Sequence, residues 1–167
     1  AFSIQARCLR HFLKSDKSDK RAFSIASKML APLFKPRAHK MIIGIGIDIV
    51  EIERLEKSLK RSTGKQFLNH VYTEAEQAAA PQNERQKYAY FAGRWAAKEA
   101  LSKAFGCGIS SKCALRDIEI LRGSAGEPQM ELSGAAAQTA ASLGVKKLHL
   151  SISHEREYAC ANVIAEG

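Results

Sequence analysis

One mixed domain of strands and helices, preceded by a basic leader, is what this sequence predicts, and three stretches predict it. The run MIIGIGIDIV at residues 41–50 is β-rich, residues 84–105 carry a long helical pattern, and residues 147–153 and 158–165 alternate as two closing strands. A length of 167 residues, 46% hydrophobic and 26% charged, suits one compact domain with a packed core. Aromatic content of 7% and four prolines fit neither a disordered nor a collagenous chain. The longest apolar stretch, Met41 to Val50, is interrupted by Asp48 and is about half of what a bilayer-spanning helix needs, which excludes an integral membrane protein of that kind. Cys8, Cys107, Cys113 and Cys160 show no C-x-x-C or zinc spacing and read as free thiols in a reducing compartment.

Charge divides the chain at Met41. Residues 1–40 hold ten Lys/Arg and two Asp, a net of +8, whereas residues 41–167 hold sixteen Lys/Arg and fifteen acids, a net of +1. Pro32 and Pro36 mark a linker before the first strand. Three readings of this leader stay open: upstream sequence before a start at Met41, a transit peptide, or a basic arm for nucleic acid or anionic lipid. The fold is therefore expected in residues 41–167.

In the first strand, alternation puts Ile43, Ile45, Ile47 and Ile49 on one face and Gly44, Gly46 and Asp48 on the other, so the acid lies on a face cleared of side chains. Residues 51–61 switch to helical period, with Ile52, Leu55 and Leu59 on one side and Arg54, Lys57 and Arg61 on another. Short helical patches follow around Lys65 to His70 and Thr73 to Ala80, where Thr73 and Glu76 form a capping-box pattern, and Pro81 closes the stretch. The long helix from about Glu84 to Phe105 ends at Gly106. Strands near Leu115 to Leu121 and Pro128 to Leu132 flank the turn at residues 122–126, and an Ala-rich helix runs from about Ser133 to Leu143. No solenoid repeat is present.

Chemistry concentrates on the first strand and the long helix. Tyr88, Phe91 and Trp95 define an apolar stripe, and Glu99 lies about 40° from Trp95 within it, so burial of its carboxylate is expected. Each acid has a plainer reading: Glu99 paired by a neighbouring base, Asp48 capping the turn into the next helix. Together, two carboxylates from different elements make a hard oxygen site of the kind Mg²⁺ uses when substrate phosphate supplies other ligands. Lys98, Lys103 and the turn Gly106-Cys107-Gly108 offer point charges and backbone N–H groups for a phosphate, and His154 at a strand end could reach one. The basic stripe Arg54, Lys57 and Arg61 is either solvated surface or a docking strip for an acidic partner. A dinucleotide G-x-G-x-x-G fails at Ile49, and residues 123–126 lack the G-x-S-x-G spacing of a hydrolase elbow.

As a set, IGIDIVEIER, FAGRWAAKEALSKAFGCGI and SISHEREYACANV resemble the holo-[acyl-carrier-protein] synthases, the short bacterial-type 4'-phosphopantetheinyl transferases. The resemblance spans Met41 to the C-terminus and none of the leader. It implies an α+β phosphopantetheinyl transferase fold, a small antiparallel sheet packed with a long central helix, assembled as a homotrimer with sites at subunit interfaces. It also implies transfer of 4'-phosphopantetheine from coenzyme A to a serine of apo acyl carrier protein, releasing adenosine 3',5'-bisphosphate, in fatty acid biosynthesis. Mg²⁺ is the implied cofactor, with Mn²⁺ as an alternative, and Asp48 and Glu99 match the metal-binding carboxylates. Lys103 matches a coenzyme A phosphate lysine. Lys98, Arg94 and His154 lie in matching blocks as coenzyme A contacts, with Gly106 and Gly108 beside them, and Arg54 matches a carrier-docking residue that Lys57, Arg61 and Lys65 would extend by charge. The cytoplasm is the expected location, or a mitochondrion or plastid if residues 1–40 are a transit peptide. Rival expectations are a metal-dependent phosphohydrolase and a nucleic-acid binder acting through the leader; the enzyme reading expects neither nucleic acid nor membrane as partner.

Overall fold

The computed structural model describes residues 41–167; the leader, its linker and Cys8 lie outside the described residues. Strand β1 (Ile42–Glu51) runs straight into helix α1 (Ile52–Lys60), followed by α2 (Gly64–Val71), α3 (Glu74–Ala78) and the long α4 (Glu84–Ala104). A 3-10 turn at Leu115–Asp117 leads into the hairpin β2 (Ile118–Arg122) and β3 (Pro128–Leu132), and then come α5 (Gly134–Ser142), β4 (Lys147–His154) and β5 (Tyr158–Glu166). The main sheet is antiparallel in the order β1-β5-β4, with β2-β3 as a separate two-stranded sheet, so the α+β expectation holds.

Helix α4 is the axis on which everything packs. Its C-terminal half sets Ala96, Ala97, Ala100, Leu101 and Ala104 against Ala161, Val163 and Ala165 of β5, Ile118 and Ile120 of β2, and Ala136 and Ala140 of α5. Its N-terminal half sets Ala89, Phe91 and Ala92 against Ile52 and Leu55 of α1 and against Val71 and Tyr72. Alanine on this helix lets the sheet approach the helix backbone, and glycine in β1 completes the approach. A Cβ added at Gly46 would lie 1.9 Å from the Ala100 carbonyl oxygen, and one at Gly44 would lie 2.0 Å from that of Ala104. The cleared face of β1 is thus the face that α4 occupies.

The isoleucines behave differently from one another. Ile45, Ile47 and Ile49 stand on the outer face of the sheet, 59%, 63% and 65% exposed, opposite Ile164, Asn162 and Cys160 of β5. Ile43 leaves that row, because the β1–β5 register shifts between Ile42 and Gly44 and Ile43 packs on the main core.

Local signals set most boundaries. Thr73 Oγ1 accepts from Glu76 N while Thr73 N donates to Glu76 Oε2, the reciprocal capping box its sequence predicts. Gly106, with φ 67°, turns the chain out of α4 in a conformation that disfavours other residues. One boundary moves: Leu115 to Asp117 form a 3-10 turn instead of the start of a strand. Polar demands outweigh β-propensity there, since the Leu115 carbonyl accepts from Lys98 Nζ and the Asp117 carboxylate accepts from Ala135 N and Ala136 N at the start of α5.

Candidate active site

Where β1 crosses α4, three charged groups meet. Asp48 projects from the cleared face of β1, and its Oδ1 accepts from Lys103 Nζ of α4 at 2.7 Å. The same ammonium donates to the Ile47 carbonyl oxygen at 3.1 Å. Glu99 lies one turn before Lys103 on α4 and is half-buried. Its carboxyl is held above the ordinary carboxylate range by burial and then by the nearby Asp48 charge, with Lys103 opposing both. Asp48 and Glu99 line a cleft of about 500 Å³ together with Arg54, Ser58, Phe67 and Trp95. Phe67 and Trp95 stack at 5.5 Å between ring centroids and make one apolar wall.

The stripe reading of α4 needs correction here. Trp95 and Glu99 are half-exposed, while the fully enclosed face is the alanine face. A helix surrounded on nearly all sides has no single apolar stripe: Phe91 and Leu101 are enclosed with the alanines, while Trp95 stands at the cleft.

A second cavity, of about 730 Å³, collects Arg94, Arg122 and His154 with Gln86, Tyr90, Pro128 and Ile152 and no acidic residue. Arg94 is built in: its Nε donates to the Ile120 carbonyl at 3.0 Å, and its guanidinium carbon lies 3.3 Å from the Tyr90 ring centroid. Burial pulls its pKa down, and Tyr90 and Glu76 push it back. Arg122, which the sequence did not single out, reaches this cavity from the end of β2, beside the turn that brings Gly126 and Pro128 to it.

Lys98 does not join either site. It is fully buried; its Nζ donates to Glu76 Oε2 at 2.7 Å, to the Val71 carbonyl at 2.8 Å and to the Leu115 carbonyl at 2.9 Å, so all three donors are spent inside the core. A coenzyme A phosphate has no route to it. The turn after α4 is also committed elsewhere: Gly106 N donates to the Lys103 carbonyl, and Cys107 N and Gly108 N both donate to the Ser102 carbonyl, so these N–H groups close the helix and do not cradle a phosphate. On α1, Lys57 pairs with Glu53 at 2.8 Å and Lys60 with Glu56, whereas Arg54 faces the cleft. Arg61 follows α1 as its exposed capping residue. Of Arg54, Lys57 and Arg61, only Arg54 lines the cleft.

Two carboxylates beside a lysine thus line one cleft, and two arginines with a histidine line a separate cavity. Residues 44–163 match the family model of the 4'-phosphopantetheinyl transferase superfamily. The chain belongs to that superfamily. Among curated proteins, the holo-[acyl-carrier-protein] synthase of Vibrio cholerae is 45% identical over 126 residues, 75% of this chain and 98% of that protein. Among solved structures, the holo-[acyl-carrier-protein] synthase of Neisseria meningitidis superposes with a TM-score of 0.69 at 35% identity, covering 76% of this chain and all of that one. The Bacillus anthracis synthase, solved in complex with CoA (3',5'-ADP), matches with a TM-score of 0.63 at 38% identity, covering 75% of this chain and 97% of that one. As a phosphopantetheinyl transferase, the chain keeps its similarity within the region after the leader.

Proposed function

We infer that this chain transfers 4'-phosphopantetheine from coenzyme A to a serine hydroxyl of apo acyl carrier protein, leaving adenosine 3',5'-bisphosphate. The meeting of Asp48, Glu99 and Lys103 at the β1–α4 crossing carries this reading within the family. The serine oxygen attacks the β-phosphate of the substrate, the bond to the nucleotide phosphate breaks, and the serine proton must leave. The Glu99 carboxylate and a water held in the cleft are the two candidates for accepting it. Lys103 supplies a point charge to the pyrophosphate.

A divalent cation fits the donor set. Among the described residues no cluster of three His, Cys, Asp or Glu side chains forms, so Asp48 and Glu99 would hold the ion with water and substrate oxygens completing the shell, as Mg²⁺ or Mn²⁺ accepts. Such an ion would neutralise charge on the pyrophosphate.

The cavity of Arg94, Arg122 and His154 suits the nucleotide phosphates of coenzyme A, but it is separate from the cleft of Asp48 and Glu99. A homotrimer reconciles the two: the exposed row Ile45, Ile47 and Ile49 is an apolar sheet face that a second copy would cover, and each complete site would combine the cleft of one subunit with the cavity of its neighbour. Arg54 at the cleft edge would meet the acidic carrier protein. No helix among the described residues is long and apolar enough to cross a membrane. The proposed location is the cytoplasm, or an organelle if the leader directs it there, and expression of the full chain fused to a fluorescent protein separates these.

The test of activity is the intact mass of apo acyl carrier protein after incubation with the chain, coenzyme A and Mg²⁺. A gain of about 340 Da, the mass of one phosphopantetheine, blocked by EDTA, is expected. Consumption of coenzyme A without carrier protein would point to hydrolysis instead.

A further inference from the structure

The ion pair between Lys103 and Asp48 has a property that neither partner shows alone. Lys103 Nζ spends two donors, on Asp48 Oδ1 at 2.7 Å and on the Ile47 carbonyl at 3.1 Å, so the ammonium is held on the Asp48 carboxylate. Its side chain is 49% exposed while that of Asp48 is 16% exposed. The carboxylate is thus largely enclosed and the ammonium is the solvent-facing partner. A four-carbon stem lets an ammonium move several ångströms while the helix stays in place. Lys98 on the same helix lacks that freedom, being enclosed with three acceptors. A divalent cation on the Asp48 carboxylate would be strongly repelled by an ammonium at hydrogen-bond distance from the same group.

We propose that Lys103 is a resident counter-ion that holds Asp48 in the free enzyme, leaves it when a divalent cation binds, and then serves the substrate's phosphate. The proposal rests on the reading of Asp48 and Glu99 as metal-holding carboxylates and adds an exchange to it. Metal entry and phosphate binding are coupled through one side chain. In the free enzyme Lys103 lowers the affinity for metal and shields two like charges from each other. With phosphate present, the released ammonium finds a new anionic partner, so coenzyme A strengthens metal binding and, by linkage, metal strengthens coenzyme A binding by the same factor.

Two readouts test this without turnover. The first is the ¹⁵Nζ resonance of Lys103, assigned through its loss in Lys103→Arg and followed during a Mg²⁺ titration of the full chain. It should move toward the position it holds in Asp48→Asn, where the pair cannot form as an ion pair. The second is Mn²⁺ affinity measured by electron paramagnetic resonance. Lys103→Met should bind Mn²⁺ about two- to fivefold tighter than wild type in the absence of coenzyme A, the equilibrium equivalent of an exposed ion pair, and should gain less affinity than wild type when coenzyme A is added. Circular dichroism establishes that each variant is folded. A Lys103 signal unmoved at Mg²⁺ concentrations that saturate an Asp48-dependent site overturns the exchange and leaves the metal reading standing. Equal Mn²⁺ affinity in Asp48→Asn and wild type removes the metal reading and the exchange together.

Discussion

Helix α4 carries two lysines, each paired with a carboxylate at 2.7 Å, and the two pairs do opposite things. Lys98 and Glu76 are both fully buried, and every remaining donor and acceptor is taken by backbone: Glu76 also accepts from Thr73 N and from Ile120 N. That pair ties α3, β2 and the 3-10 turn to the central helix. Lys103 and Asp48, at the open crossing of β1, leave one partner half in solvent and adjoin a third charge, Glu99. Identical chemistry at nearly identical distance is structural when enclosed and available for ligands when open. Distance alone does not tell a core ion pair from an active-site one; enclosure and spent donors do.

Substitutions at the two pairs should therefore separate cleanly. The largest expected effect is on transfer: Asp48→Ala should lower turnover by about a thousandfold, as loss of a group that stabilises developing charge does, while the unfolding midpoint stays near wild type. Turnover close to wild type in that variant would remove Asp48 from the reaction. Next in size is Glu76→Gln, which leaves Lys98 as a buried charge without its counter-ion and should cost about 3 kcal/mol of stability in urea denaturation. A cost below about 1 kcal/mol would mean that water reaches the pair.

A smaller effect is expected at the edge of the cleft. Arg54→Glu should raise KM for the carrier protein about tenfold, an energy of about 1.4 kcal/mol, with little change in KM for coenzyme A. Equal shifts in both constants would contradict docking through Arg54. The smallest effect concerns Glu99. Its pKa lies above the unfolded value, so the charged form weighs against the folded state at neutral pH, and that burden lifts as pH falls through the raised pKa. Glu99→Gln should raise stability at pH 7 by about 0.5 kcal/mol, discounted because solvent screens a half-exposed group. Below the ordinary carboxylate range the difference should vanish; a difference that grows there would reverse the sign argued here.

Most of the fold was legible in the sequence. Alternation placed β1, β4 and β5 within a residue or two, the capping box placed α3, and Gly106 ended α4. The glycines beside Asp48 showed that it lies on a cleared strand face, whereas helical spacing put Glu99 in a buried stripe and it lines an open cleft instead. Lys98 was not legible. Period alone assigns a lysine to solvent, and only the three-dimensional convergence of Glu76 with the Val71 and Leu115 carbonyls makes its burial tolerable. The same holds for Gly106 and Gly108, whose N–H groups looked free in a glycine turn and are consumed by the carbonyls of Ser102 and Lys103. Arg122 was missed for the converse reason, since a charged residue at the end of a short strand carries no spacing that singles it out.

The division of labour along α4 is tested most directly by measuring transfer per folded molecule and the urea unfolding midpoint in Lys98→Met and Lys103→Met under one set of conditions. Lys98→Met is predicted to lower the midpoint and to keep transfer per folded molecule within about tenfold of wild type, while Lys103→Met is predicted to lose about a hundredfold in transfer at an almost unchanged midpoint. Equal losses of both properties in the two variants, or loss of transfer without loss of stability in Lys98→Met, would contradict the account.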